Sequence, residues 1–315
     1  MKKRIVATII TVGALILIVA LIFGVAEWTW GACRREASLH DADSKYVFSY
    51  TNTLDDLDIS SPQGFVYSVS DDTIIFTKGE HKVVHPGSVT KLLTAIYALT
   101  ILHPSEIIIP TDELELVKPD SSIAYIKSHH KISVEMLIEG MMLPSGNDAA
   151  YVIAAAGGRR LINDLSISGK RAVEIFMDGM NKFAEEIGLC GTHFVSPDGY
   201  SDEEHYTTTE DLLIISRLAM DNEIIMKYSS MESDDVVYAS GHTNNWSNTN
   251  KLIDKESEYY NENVIGLKTG SIDREYSIIF VISFDDGREY IAGVFGSPNK
   301  DTRYEDALKI IDEIK

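Results

Sequence analysis

Basic residues are scarce in this chain, cysteines are almost absent, and no metal-binding spacing occurs. Lys and Arg number 28 against 48 Asp and Glu, a formal net charge of −20 over 315 residues. Nucleic-acid binding needs a basic patch to neutralise phosphates, and no such cluster follows the amino terminus, so nucleic acid is excluded as a partner. Cys33 and Cys190 are the only cysteines, too few for a disulfide framework or a thiolate metal cluster. HExxH and CxxC are missing, and His129-His130 are neighbours whose side chains would point in different directions on a strand or helix. No metal and no other cofactor is expected. There is no internal repeat and no low-complexity tract. The apolar fraction of 44% is ordinary, and the length suffices for a large core in one big domain or two modest ones.

The longest apolar run lies at the amino terminus. Lys2-Lys3-Arg4 precedes an unbroken stretch from Ile5 to Ala26. At about 1.5 Å per residue this stretch can cross a hydrocarbon core of about 30 Å. Trp28 and Trp30 follow it, as an interfacial belt would, in place of a small-x-small cleavage site. We expect 1–26 to be an uncleaved anchor (the alternative being a cleaved signal and a secreted protein), 27–62 a polar linker, and 63–315 the folded domain. Positive charge before the span puts the amino terminus in the cytoplasm and the domain on the outer face of the cell membrane.

Downstream, Gly64–Ser70 and Thr73–Thr77 read as a hairpin across Asp71-Asp72. Leu92–Leu102 has helical spacing and stops at His103-Pro104. The stretch from Val134 to Leu218 is mostly helical, and Val173, Phe176, Met180, Phe183 and Ile187 fall on one face of a core-facing helix. Ser277–Phe284 and Arg288–Phe295 form a second hairpin around Asp285-Asp286-Gly287, and Asp301–Lys315 closes as a helix. Strands, helices, strands, then a helix predict an α+β fold. It has one antiparallel sheet whose first and last strands come from opposite ends of the chain, with a helical part inserted between them.

Three short motifs carry chemistry. Ser88-Val89-Thr90-Lys91 opens a helix after Pro86-Gly87. It places a hydroxyl and an amine on one face, one turn apart. A serine becomes nucleophilic when a neighbour takes its proton, and burial or nearby positive charge lowers a lysine pKa enough to do so. Taken alone the pair also fits a helix cap beside a surface lysine. Ser145-Gly146-Asn147 follows Leu143-Pro144 in a tight turn between helices. Its hydroxyl could relay a proton and its amide could hold a lysine or a peptide backbone, or the turn could simply cap the next helix. Lys268-Thr269-Gly270 stands at or near the end of a strand led by Val264. There lysine and threonine suit a carboxylate, and the glycine lets a substrate backbone come close. Each motif is weak; their order and settings make the conjunction strong.

With the flanks Gly87–Thr94, Met142–Ala150 and Ile265–Gly270, the chain resembles the low-molecular-mass penicillin-binding proteins of the D-alanyl-D-alanine carboxypeptidase type. Thr192–Gly199, Thr208–Leu212 and Asn248–Leu252 extend the likeness, which runs from about residue 45 to the end. It implies a penicillin-binding/β-lactamase-like α/β sandwich, an antiparallel sheet flanked by helices with an inserted helical subdomain. It implies Ser88 as the acylated nucleophile, Lys91 as general base and Ser145 as proton shuttle. Asn147, Lys268, Thr269 and Gly270 would line the substrate, and the backbone amides of Ser88 and Ser271 would form the oxyanion hole. Arg303 would grip the terminal carboxylate, its alternative being an exposed arginine at a helix start. Peptidoglycan stem peptides and β-lactam antibiotics are the implied partners. Many relatives carry a second β-rich domain and a carboxyl-terminal tether, whose place the amino-terminal span is expected to take.

Two other readings stay open. A class A-type β-lactamase shares the three motifs and needs a water-activating glutamate, for which Glu203, Glu204 and Glu210 fall in the right interval. A non-catalytic wall-binding or sensor module could keep the same fold.

Overall fold

The structure, a computed structural model, describes residues 48–54, 56–79 and 82–315. The expected span, Trp28, Trp30 and Cys33 lie outside the described residues. Phe48–Lys315 forms one compact unit. Among the described residues no helix is long and apolar enough to cross a membrane.

A six-stranded sheet organises the unit. Its strands are β1 (Ser49–Tyr50), β2 (Gln63–Ser68), β3 (Thr73–Lys78), β8 (Val264–Ile272), β9 (Glu275–Ser283) and β10 (Glu289–Ser297), in the spatial order β1-β3-β2-β10-β9-β8. Strand β2 pairs antiparallel with β10, so the two expected hairpins join where the ends of the chain meet. Between β3 and β8 run α1 (Lys91–Ile101), β4 (Ile107–Ile108), β5 (Ile132–Ser133), α2 (Val134–Met142), α3 (Asn147–Leu161), α4 (Gly169–Glu186), α5 (Thr209–Met220), α6 (Glu223–Ser229) and a hairpin of β6 (Ser233–Val237) and β7 (Thr243–Ser247). Helix α7 (Lys300–Ile314) ends the chain.

The period-2 alternation of strand side chains divides the core in two. Ile279 and Val281 of β9 join Phe65, Tyr67 and Leu267 in a cluster with the inserted helices. Ile278, Phe280 and Ile282 join Val66 and Val294 on the other face, covered by Tyr304, Ile310 and Ile311 of α7. Val173, Phe176 and Met180 of α4 are buried as their spacing requires, with Phe183 and Ile187 packed at the margin.

The polar segment ends earlier than residue 62. Ile59 is buried, Leu54 and Leu57 pack on the α7 face, and β1 adds to β3 in parallel. The reason is a carboxylate on the far helix. Asp306 accepts from Ser60 N at 2.8 Å, Ser61 N at 2.7 Å and Ser61 Oγ at 2.6 Å. A stretch rich in Ser and Asp thus looks like a linker while its backbone is held at a buried anchor.

Strand β8 is an edge of the sheet. Its Lys268-Thr269-Gly270 motif lies mid-strand and not at the strand end, and all three residues are buried. The inserted helices close over this edge, and the turn before α1 packs directly on it.

Candidate active site

Ser88 sits in a 3-10 turn, Gly87–Thr90, that runs into α1 at Lys91. In a 3-10 turn residues three apart eclipse each other, so the hydroxyl and the amine are brought together more closely than on an α-helix. Lys91 Nζ donates to Ser88 Oγ at 2.7 Å, to Asn147 Oδ1 at 2.7 Å and to the Asp198 carbonyl at 3.0 Å. Pro86 and Thr90, and not Ser88, hold the cap positions of the turn and of α1, which removes the helix-cap reading. It is partly exposed while Lys91 is fully buried, so the nucleophile can be reached and its base cannot.

The second motif turns between α2 and α3. Ser145 has φ of +60°, an uncommon conformation for a residue with a side chain, and one that clusters at functional sites. A Cβ on Gly146 would lie 2.7 Å from Ala124 Cβ, so glycine lets the turn press against its neighbour. Ser145 Oγ accepts from Lys268 Nζ at 2.9 Å; among the described residues it does not bond Lys91. Asn147 spans the pocket wall, accepting from Lys91 and donating through Nδ2 to Ser121 Oγ at 2.9 Å. Asp148 accepts from Ala149 N in the first turn of α3 at 2.9 Å, and it also reaches across to a loop. Its carboxylate accepts from Ala124 N and Ile126 N, both at 2.8 Å, fixing the loop that carries Ser121.

On β8, Thr269 Oγ1 pairs with Thr249 Oγ1 at 2.7 Å. Gly270 answers to a contact different from the expected one. A Cβ there would come within 2.3 Å of Pro86 O, and one on Gly87 within 3.0 Å of Ser271 N. The glycines allow the protein's own serine turn to touch the strand beside Ser271.

Arg303 is buried, not exposed at its helix start. Nη1 donates to Gly270 O at 3.0 Å and Ser277 O at 3.3 Å, and Nη2 to Tyr304 OH at 2.9 Å. Its fork is turned onto main-chain carbonyls behind β8, and Nη1 stands 3.5 Å from Ser271 Oγ. This geometry braces the strand and puts positive charge beneath it; it does not present an open two-pronged grip.

Charge is the unusual property of the pocket. Burial lowers the Lys91 pKa to about 8, against the opposing pull of Asp198 and Asp148. Lys268 is pushed well below the ordinary lysine value, first by burial and then by the nearby charges of Lys91 and Arg303. Two amines and a guanidinium crowd one low-dielectric space, so the site holds an amine able to accept a proton and an unmet demand for an anion. Buried His205, its pKa lowered by burial to about 3, is neutral and fixes Thr90 Oγ1 through Nε2 at 2.8 Å.

A family profile for the D-alanyl-D-alanine carboxypeptidases, peptidase S11, matches residues 51–299. The chain belongs to this family. It is a serine hydrolase of the D-alanyl-D-alanine carboxypeptidase class. A carboxypeptidase of Streptomyces sp. strain K15 is 31% identical over 80% of this chain and 86% of its own length. One from Bacillus subtilis is 26% identical over 76% of this chain and 58% of its own. Among solved structures, the Streptomyces K15 DD-transpeptidase superposes with a TM-score of 0.72 at 29% identity, covering 81% of this chain and 97% of that one. Penicillin-binding protein D2 of Listeria monocytogenes, solved in its ampicillin-bound form, gives 0.64 at 25% identity, covering 82% of this chain and 98% of that one. The fold, an antiparallel sheet flanked by helices, is that of these DD-peptidases.

In this carboxypeptidase the three motifs converge as the sequence led us to expect. Glu203 and Glu204 are exposed and Glu210 lies in the first turn of α5; none is among the partners of Lys91. The residues that motif reading missed are Asp198, Thr249 and Tyr304. Asp198 serves through its carbonyl, which every residue has, so only its place in a matched segment pointed to it. Tyr304 OH donates to Thr249 O at 3.1 Å and ties α7 to the loop facing β8.

Proposed function

We propose that this protein removes the terminal D-alanine from peptidoglycan stem peptides through an acyl-enzyme at Ser88, and that penicillins acylate the same serine. The observation that carries this reading is the 2.7 Å contact between Ser88 Oγ and a fully buried amine whose pKa is lowered to about 8.

Neutral Lys91 takes the Ser88 proton as Oγ bonds to the carbonyl carbon of the D-alanyl-D-alanine link. The oxyanion is stabilised by the amide N–H groups of Ser88 and Ser271. The C–N bond then breaks, and the departing nitrogen receives a proton from the lysine pair by way of Ser145. Terminal D-alanine leaves, and water attacks the ester to restore Ser88. The substrate's free carboxylate supplies the anion that Lys268 and the charge of Arg303 lack. On binding it favours the protonated form of Lys268. An extended peptide can add along the edge of β8 by main-chain pairing. The ampicillin-bound form of the similar Listeria protein supports the β-lactam half of the proposal. Lys2-Lys3-Arg4 and the run Ile5–Ala26 support placement at the membrane, with the domain outside.

Mass spectrometry of the intact chain after penicillin tests the reading. One adduct per chain, mapped to Ser88 and absent from Ser88→Ala, is expected. An adduct on another residue, or D-alanine release from a pentapeptide by Ser88→Ala, would overturn it.

A further inference from the structure

His129 and His130 occupy a turn just before β5, and His242 lies between β6 and β7. The sequence suggested that the first two diverge, but all three rings meet. Ring centroids are 4.7 Å apart for His129–His130, 4.8 Å for His129–His242 and 4.7 Å for His130–His242. One ring nitrogen from each falls within 4.8 Å of the others.

We propose that His129, His130 and His242 bind one divalent transition-metal ion of the zinc class. Imidazole suits zinc, copper and nickel, and three protein nitrogens leave a further position for water. Tetrahedral ligation at about 2.0–2.1 Å needs nitrogens roughly 3.3 Å apart, so the rings must close by on the order of 1–1.5 Å. His129 and His242 are exposed, so the closing movement falls to them, while buried His130 serves as the fixed point.

The two segments are already held in register. Lys131 N donates to Ser240 Oγ at 3.2 Å, and the same hydroxyl lies 3.1 Å from His242 Nδ1. A hydrogen-bonded Nδ1 directs Nε2 toward an ion, as outer partners of metal-bound histidines do. The Tyr238 ring packs at 4.6 Å against His130. His130 Nδ1 accepts from Lys127 N at 3.1 Å. Ligation through Nε2 shifts the ring proton to Nδ1 and gives up that contact, and ligation through Nδ1 replaces it.

A bound ion would staple the β6–β7 turn to the loop whose earlier residues carry the Asp148 and Asn147 contacts. Its role is in holding this wall, not in the serine chemistry.

The test is titration of the purified, chelator-stripped full chain with zinc chloride alone, by calorimetry and thermal unfolding. One ion per chain and a higher melting temperature are expected. His129→Ala and His242→Ala, both at exposed positions, should each weaken binding at least about tenfold, while metal-free penicillin acylation stays at the wild-type rate as a check of folding. The proposal fails if no saturable uptake occurs up to about 0.1 mM zinc, or if stoichiometry and affinity are unchanged in the double variant.

Discussion

Lys91 is the residue on which the pH response of the reaction turns. It must be neutral to accept the Ser88 proton, and burial sets its pKa at about 8. The acylation rate by a neutral ester or amide substrate should therefore rise with pH through about 8 and level off above it. A rate independent of pH from 6 to 10 would show that Lys91 is not the base. The stability response has the same direction. Between about 8 and the ordinary value of 10.5 the unfolded chain binds a proton at Lys91 that the native chain does not. The lysine's contribution to stability thus rises with pH across that window. Side chains that act through their own chemistry, Ser88, Lys91, Ser145 and Lys268, were legible in the sequence because the reaction needs those groups. Asp198 meets Lys91 through its main-chain carbonyl, which leaves no residue signature. Arg303 was legible as a charge but not as a buried brace, since its neighbours Gly270 and Ser277 lie far from it along the chain.

At the scale of elements, the site depends on one close contact, that of the Ser88 turn with β8. Pro86 O leaves no room for a Cβ on Gly270, and Gly87 O leaves none on Gly199, where a Cβ would fall at 1.9 Å. Gly270→Ala must push the turn off the strand and shift Ser88 relative to β8. Displacements near 1 Å can cost about a hundredfold in rate, and overpacking typically costs about 1–3 kcal/mol. We expect penicillin acylation to slow roughly a hundredfold, with a loss of stability too small to unfold the domain. Wild-type acylation kinetics in Gly270→Ala would refute this account of the contact. Strand identity was legible from Val264 onward because the apolar run Val264–Leu267 marks it. Its extension through Lys268 and beyond was not, because buried lysine, threonine and glycine look like the polar end of a strand. The two hairpins and the closing helix were read correctly because turn residues and periodicity are local signals. That early and late strands share one sheet was expected, and β2 pairing with β10 agrees; the parallel addition of β1 to β3 was not foreseen.

Over the whole molecule, a net charge of −20 surrounds a pocket with crowded cationic groups. The acidic surface favours solubility and not capture of an anionic ligand, so for the proposed substrate the carboxylate would be recognised locally, at Lys268 with the charge of Arg303 behind it. The same charge distribution bears on topology. In the proposed orientation the positive-inside bias would keep the amino-terminal cluster Lys2-Lys3-Arg4 on the cytoplasmic side, and the acidic remainder would offer no comparable barrier to export. Peptidoglycan stem peptides lie outside the membrane, so the proposed substrate and the proposed orientation stand together. The compact unit begins at Phe48, earlier than the polar composition suggested. Intact cells expressing the chain with a carboxyl-terminal tag should lose the tag to added protease, with the tag remaining in the membrane fraction before digestion. A tag protected until the cells are lysed would place the domain inside, and a tag found in the medium would mean that the amino-terminal segment is removed. Either result would break the proposed anchoring while leaving the Ser88 chemistry to be judged by its own adduct.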